Sequence, residues 1–343
     1  MTTMKALNVV ENTDTTAPAS ARVELVEKPI PSPADGEVLI KMAATTCNPS
    51  DLAYIRGEYG LATNYGKTAG LEGTGTVVAA GAGPFGETLM GMRVACSSKV
   101  SKGMDGTWAE YMVTDATLCM PIIADIPDDM AATLIVNPFT AFSLLDRAEA
   151  LGAKAVVQNA AASQVGKLVI SVAKQRGIKI ISTVRRQEQK DRLLKLGAEH
   201  VIITEDPDYL AQLKALSSDL GATVFFDCVA GPDSAMVLAN MPRSTTAIVF
   251  GRLHADVADI FGGHYSVGHM IFADTRIEGF WLSSQLVGIS PDVLLARSSE
   301  IQHLFKEGLL ELDVRGHYDI ASFAQAMDEY ALNMSKGKAI LKF

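Results

Sequence analysis

Residues 153–184 read AKAVVQNAAASQVGKLVISVAKQRGIKIISTV, two short apolar runs on either side of one amphipathic stretch. AKAVVQNA (153–160) reads as a buried strand. In the segment after it, Val165, Leu168, Val169, Val172 and Ala173 fall on one helical face, and Gly177 stops the helix. IKIISTV (178–184) then supplies a second strand, so the stretch spells strand, helix, strand with both strands parallel. The same rhythm continues downstream. A charged helix ends in LLKLGA, and HVIIT, YLAQLKALS, TVFFDCV, SAMVLANM and TTAIVFG follow as alternating strands and helices. With RIEGFWLS these make six parallel strands, a doubly wound sheet of the dinucleotide-binding (Rossmann) type over residues 134–283.

Upstream the pattern is different. Runs such as VLIKMA and GTVVAAG are punctuated by KPIPSPADGE, AGAGPFGE and SKGMDG, which predicts a mostly β lobe with many turns. After residue 284 the rhythm fades into a helix opening at Ser290 and Pro291, and the tail GKAILKF reads as an edge strand. The tail is expected to return to the first lobe, giving one domain from residues 1–133 with 284–343 and another from 134–283. The fold class is therefore α/β with a second, mostly β domain.

At 343 residues the chain is long enough for two cores of ordinary size. Its net charge of -9, with no Lys/Arg cluster, argues against nucleic acid as a partner, because phosphate backbones need a basic face. No basic, apolar leader opens the chain and no window approaches eighteen apolar residues, so a soluble cytoplasmic protein without a membrane partner is expected. Cys47, Cys96, Cys119 and Cys228 form no C-x-x-C pair and read as small buried side chains. His264 and His269 read as surface or structural residues.

The junction at residues 159–166 sits where a dinucleotide fold holds pyrophosphate on a helix N-terminus. Asn159, Ala161, Ser163, Gln164, Val165 and Gly166 are the candidates there; Gly166 keeps the last of three usual glycines, and Ala161 and Ser163 replace the first two. The second strand ends in Arg185 and Arg186, where an NAD-specific fold offers an acidic side chain. A guanidinium pair invites a phosphate, which points to NADPH; the competing reading is a solvated helix start with Lys190. Phe250 and Gly251 fall at the carboxyl edge of the sheet, with the stretch after Gly251 as a lid.

Several segments together carry a likeness to a known family. Asn48-Pro49-Ser50-Asp51, Gly57-Glu58-Tyr59-Gly60, Gly106-Thr107-Trp108, Val136-Asn137-Pro138-Phe139-Thr140-Ala141, Leu196-Gly197-Ala198-Glu199-His200 and Gly279-Phe280-Trp281-Leu282-Ser283 run in family order. The chain resembles the 2-enoyl thioester reductases in the zinc-free quinone oxidoreductase branch of the medium-chain dehydrogenase/reductases. Gln164, Leu71 before Glu72, and Asp227 before Cys228 depart from the pattern.

The resemblance implies a GroES-like β domain beside the Rossmann domain. Asn48 and Leu71 then stand where zinc-dependent relatives carry a Cys and a His, so no metal is expected. It further implies that Tyr59 donates the proton in reduction of an activated C=C, a role that suits a phenol with an unperturbed pKa of about 10. Asn48 would lie near the nicotinamide or ribose, and the backbone at Phe280, Trp281 and Leu282 would hold the carboxamide, with Thr140 also at the cofactor. Trp281 could instead be core or wall the acyl pocket. The small-molecule substrate is an enoyl thioester or enone; the alternatives are a quinone, or NADPH binding without catalysis. A homodimer is expected, through edge strands such as TTAIVFG.

Overall fold

The computed structural model describes residues 2–254 and 265–343. Its strands are β1 (Thr3–Val9), β2 (Val23–Pro29), β3 (Glu37–Thr46), β4 (Glu72–Ala80), β5 (Arg93–Ser97), β6 (Tyr111–Asp115) and β7 (Cys119–Pro121), followed by β8 (Ala155–Gln158), β9 (Lys179–Val184), β10 (His200–Ile203), β11 (Val224–Asp227), β12 (Thr246–Val249) and β13 (Arg276–Gly279), and last by β14 (Val314–Tyr318) and β15 (Lys338–Lys342). The chain divides into two compact units, Met1–Val136 with Ile289–Phe343, and Asn137–Gly288.

In the second unit the strands pair in the order β10-β9-β8-β11-β12-β13, all parallel, as the alternating pattern requires. Chain order reverses between β8 and β11, the topological switch point at which open α/β sheets place ligands. Ala155, Val157, Ile181, Ile202, Phe225 and Ala247 are buried together on the sheet, packed by Leu213, Val237 and Leu238 from the helices. TTAIVFG is not an edge: β12 bonds to β11 on one side and β13 on the other. The outer strands are β10 and β13, because RIEGFWLS adds its strand beyond TTAIVFG.

The first unit holds a β1-β2 ribbon and a sheet ordered β14-β15-β3-β4-β5-β7. β3 is its hub. It takes β4 on one edge, and its other edge is shared by β6 along Glu37–Lys41 and β15 along Ala44–Thr46. The tail is therefore interior rather than an edge, since β14 pairs outside it. Trp108 is fully buried, donating its indole N–H to Thr46 O at 3.0 Å and meeting the Phe323 ring edge-on at 5.4 Å. The helix Pro291–Lys306 begins where Ser290 and Pro291 predict, with Pro in the first turn, although Ser290 makes no side-chain cap bond.

Candidate functional site

In the second unit the predicted cofactor residues gather at the carboxyl ends of the strands. The turn after β8 enters the helix Gln164–Arg176 at Ser163, whose hydroxyl accepts the Gly166 N–H at 3.1 Å. Ala160 stands in the left-handed region (φ 44°), doing without glycine what a tight turn asks of one. Gly166 has no such latitude: a Cβ there would lie 2.4 Å from Ala161 O and 2.7 Å from Ala161 Cα. The first turn of this helix carries the positive end of the macrodipole, and beyond the Gly166 N–H taken by Ser163 its N–H groups have no partner carbonyl in the preceding turn of the helix. That is the cradle a pyrophosphate uses.

Asn159 points elsewhere. Its Nδ2 donates to Asp227 Oδ1 at 2.6 Å and its Oδ1 accepts Cys228 N–H at 2.9 Å, so it braces the ends of β8 and β11 against each other. Asp227, buried at the end of β11, also accepts from Val229 N (2.9 Å), Ala230 N (3.0 Å), Ser234 Oγ (2.8 Å) and Tyr265 Oη (2.5 Å). Burial and then the Asp227 charge push the Tyr265 phenol well up. Gly251 lets β12 pass close to β11, since a Cβ there would meet Cys228 O at 3.0 Å, and Leu253 N–H bonds to the same oxygen at 3.0 Å. Phe250 follows β12; Phe280 is buried after β13, and Trp281 caps the helix Leu282–Gln285. Thr140 is buried in the helix Val136–Ala150. Residues 255–264, which hold most of the expected lid and His264, lie outside the described residues; His269 is in the helix Val267–Ala273.

The two arginines after β9 differ. Arg186 is partly buried and donates Nε to Glu188 Oε1 at 3.1 Å. Arg185 is exposed, its N–H is held by Gln189 Oε1 at 3.1 Å, and its guanidinium enters no ion pair among the described residues. A phosphate at this strand end would find Arg185 ready and Arg186 half committed.

In the first unit Tyr59 lies just beyond the short helix Pro49–Ile55, partly buried against a core that includes Cys47, Leu52 and Tyr54. Asn48 caps that helix and is fully buried. Its N–H goes to Asp51 Oδ2 at 2.7 Å, its Nδ2 to Glu72 Oε1 at 2.8 Å, and its Oδ1 accepts from the Lys338 ammonium. Glu72 Oε2 takes the N–H groups of Ile135 (3.0 Å) and Val136 (2.9 Å), and Asp51 Oδ1 that of Leu71 (2.9 Å). Burial pushes the Asp51 carboxyl up to about 7 and raises Glu72 as well, while it lowers Lys338. Sequence reasoning misses Glu72, Lys338 and Tyr330 as site residues; a lone Lys in an apolar tail looks like any surface lysine, and its partner Asn48 is 290 residues away.

Residues 34–127 match the family described as "Alcohol dehydrogenase GroES-like domain" and residues 165–294 the one described as "Zinc-binding dehydrogenase". The chain is 30% identical over 325 residues to the mitochondrial enoyl-[acyl-carrier-protein] reductase of Homo sapiens, covering 93% of this chain and 84% of that one. Among solved structures, a "putative NADPH:quinone reductase" from Mesorhizobium loti superposes with a TM-score of 0.87 at 34% identity over the whole of both chains. The Etr1p complex with NADP and crotonyl-CoA shares the fold, with a TM-score of 0.79 at 20% identity over the whole of both chains. The chain belongs to the medium-chain dehydrogenase/reductase family of oxidoreductases.

Zinc does not fit the residues present. Leu71 offers no donor, the Asn48 carboxamide is engaged on both sides, and an ammonium already lies against it, which repels a second cation. Among the described residues no three His, Cys, Asp or Glu side chains converge on a metal position.

The raised carboxyl at Asp51 has a measurable sign. Such a group binds more protons folded than unfolded, so its contribution to stability is complete below about pH 4 and is lost as the pH rises through about 7. Glu72 acts in the same direction, and the lowered Lys338 restores stability only at more alkaline pH. Urea unfolding of Asp51→Asn is therefore expected to flatten the decline between about pH 5 and pH 7, a slope of up to about 1.4 kcal/mol per pH unit. A variant that keeps the parent slope would assign the titration to another group.

Proposed function

We propose that the chain is an NADPH-dependent reductase of the activated C=C bond of enoyl thioesters, with Tyr59 as proton donor. The observation that carries the reading is the segment after Asn48: it presents a phenol, beside residues that do not suit a metal. Likeness over most of its length to an enoyl-[acyl-carrier-protein] reductase supports it. The turn with Ser163, Gln164, Val165 and Gly166 would hold the pyrophosphate, Arg185 the 2′-phosphate, and the backbone at Phe280, Trp281 and Leu282 the carboxamide. NADPH, when bound, supplies a hydride. Tyr59 then delivers a proton to the α-carbon as charge develops on the thioester, and Asn48 fixes the helix on which Tyr59 depends.

Quinone reduction is the second reading, favoured by the 34% identity to the Mesorhizobium loti protein. The readings part at Tyr59, because quinone oxygens can collect protons from water whereas carbon needs a placed donor. A homodimer is part of our proposal, now through β13: among the described residues that edge is unpaired within the unit, and in the helix before it Val267, Ile271 and Phe272 are 69%, 66% and 76% exposed. Sedimentation at the monomer mass would remove the dimer. A cytoplasmic location also remains our proposal, supported by four buried, unpaired cysteines; fractionation of cells expressing the whole protein tests it.

Two substitutions test the site. Tyr59→Phe is expected to slow crotonyl-CoA reduction by about 10²- to 10⁴-fold with NADPH affinity unchanged, and undiminished turnover would reject the proton-donor role. Arg185→Ala should weaken NADPH about 10- to 100-fold, the worth of one or two charge-assisted bonds, and leave NADH alone; equal losses for both cofactors, read by fluorescence titration, would take the phosphate away from Arg185.

A further inference from the structure

The first unit buries an ammonium that the proposed reaction does not use. Lys338, on β15, is 2% exposed. Its three protons have three acceptors: Asn48 Oδ1, Cys47 O at 3.3 Å and Tyr330 Oη at 3.4 Å. The Tyr330 ring also lies under it, its centroid 5.5 Å from Nζ. Every acceptor but Tyr330 belongs to the peptide that starts the helix Pro49–Ile55.

That helix has seven residues and cannot hold itself in water, so its place is set by what grips its ends. At its start Asn48 is held by its own N–H on Asp51, by Nδ2 on Glu72 and by Oδ1 on Lys338. At its far end Gly57 N–H bonds to Tyr54 O at 3.0 Å and Glu58 N–H to Ala53 O at 2.9 Å, with Gly57 in the left-handed region (φ 75°). Tyr59 comes next. Because Asn48 Nδ2 is drawn to a carboxylate, its oxygen is turned toward the opposite side, where it accepts from the Lys338 ammonium and, in the capping box, from the Asp51 N–H. We propose that Lys338 is a positioning residue for the reduction: its buried ammonium helps to lock Asn48, and through Asn48 the helix and turn that lead to Tyr59.

The inference deepens the reductase reading and rests on it for its kinetic part only. Lys338→Met alone leaves Glu72 without its counter-charge and risks unfolding, so Lys338→Met/Glu72→Gln, which removes both charges, is the decisive variant. In hydrogen-exchange mass spectrometry of the full chain, residues 48–60 of the folded double variant are expected to exchange at least about 10-fold faster than in the parent, with strands β8 to β13 unchanged. Parent-like protection of residues 48–60 overturns the proposal whatever the enzyme reduces.

In turnover of crotonyl-CoA the same pair of substitutions should lower kcat about 10- to 100-fold on the parent, as a small misplacement of a donor does, with KM for NADPH unmoved. On a Tyr59→Phe background it should cost less than about 2-fold, because the residue it positions is already disabled. Losses that multiply would mean that Lys338 acts elsewhere. If Tyr59→Phe leaves turnover intact, the proton-donor reading fails, and the exchange result still decides the role of Lys338.

Discussion

A positive charge that water does not reach fixes the first unit. Burying an ammonium costs several kcal/mol even after relaxation, and the cost is offset only where opposite charges and hydrogen bonds close around it. Lys338 has that closure in Glu72 and Asp51, linked through Asn48, and Glu72 in turn takes two backbone N–H groups at Ile135 and Val136. Removing one member of such a set typically costs about 3–5 kcal/mol, because the others are left charged in the interior. The last strand, the start of β4 and the turn before the helix Pro49–Ile55 are therefore tied at one point, although they are far apart in sequence.

The second unit meets a different constraint, which is steric. Its sheet can serve a dinucleotide only if the helix Gln164–Arg176 comes close to the turn after β8, and the contact of Gly166 with Ala161 leaves no room for a methyl. That explains which glycine of the motif is kept. The other two places need only a tight turn and a satisfied helix start. Ala160, the neighbour of Ala161, supplies the turn at the expense of a left-handed backbone, about 1–2 kcal/mol, and Ser163 supplies the start with a hydroxyl cap. An eroded motif can thus preserve the physical function of the full one.

These two constraints also account for what the sequence let one read. The βαβ rhythm was legible because a strand covered on both faces must be apolar and a helix covering it must repeat every 3.6 residues. Edge and interior were not: TTAIVFG and GKAILKF look the same with one neighbour or two, and the strand that covers the tail, VRGHY, carries an Arg, a Gly and a His that hide it. Ser163 and Arg185 could be picked out as candidates by their place next to a recognisable turn or strand end, and Tyr59 only through the family resemblance. Lys338 and Tyr330 could not, since what singles them out is the contact with the start of the helix Pro49–Ile55 that only folding brings about; Asp227 stands out in sequence only as a departure from the family pattern, and its role as a hub of five donors shows only in the fold.

The buried ammonium also bears on the kind of chemistry the site suits. A zinc ion with an open position polarises a substrate carbonyl directly. The Lys338 ammonium cannot do the same, because its three protons are spent inside the protein and none is left for a substrate oxygen. A carbonyl that had to accept hydride itself would find no electrophile in this cluster. An alkene conjugated to a thioester asks for less: the developing charge spreads over the conjugated system, and the remaining need is a proton delivered to carbon from a fixed place. On our proposal a phenol just beyond a short helix would answer that need, with the helix anchored by a charge whose protons are spent inside the protein, and the cation would serve the reaction by holding geometry rather than by drawing electrons.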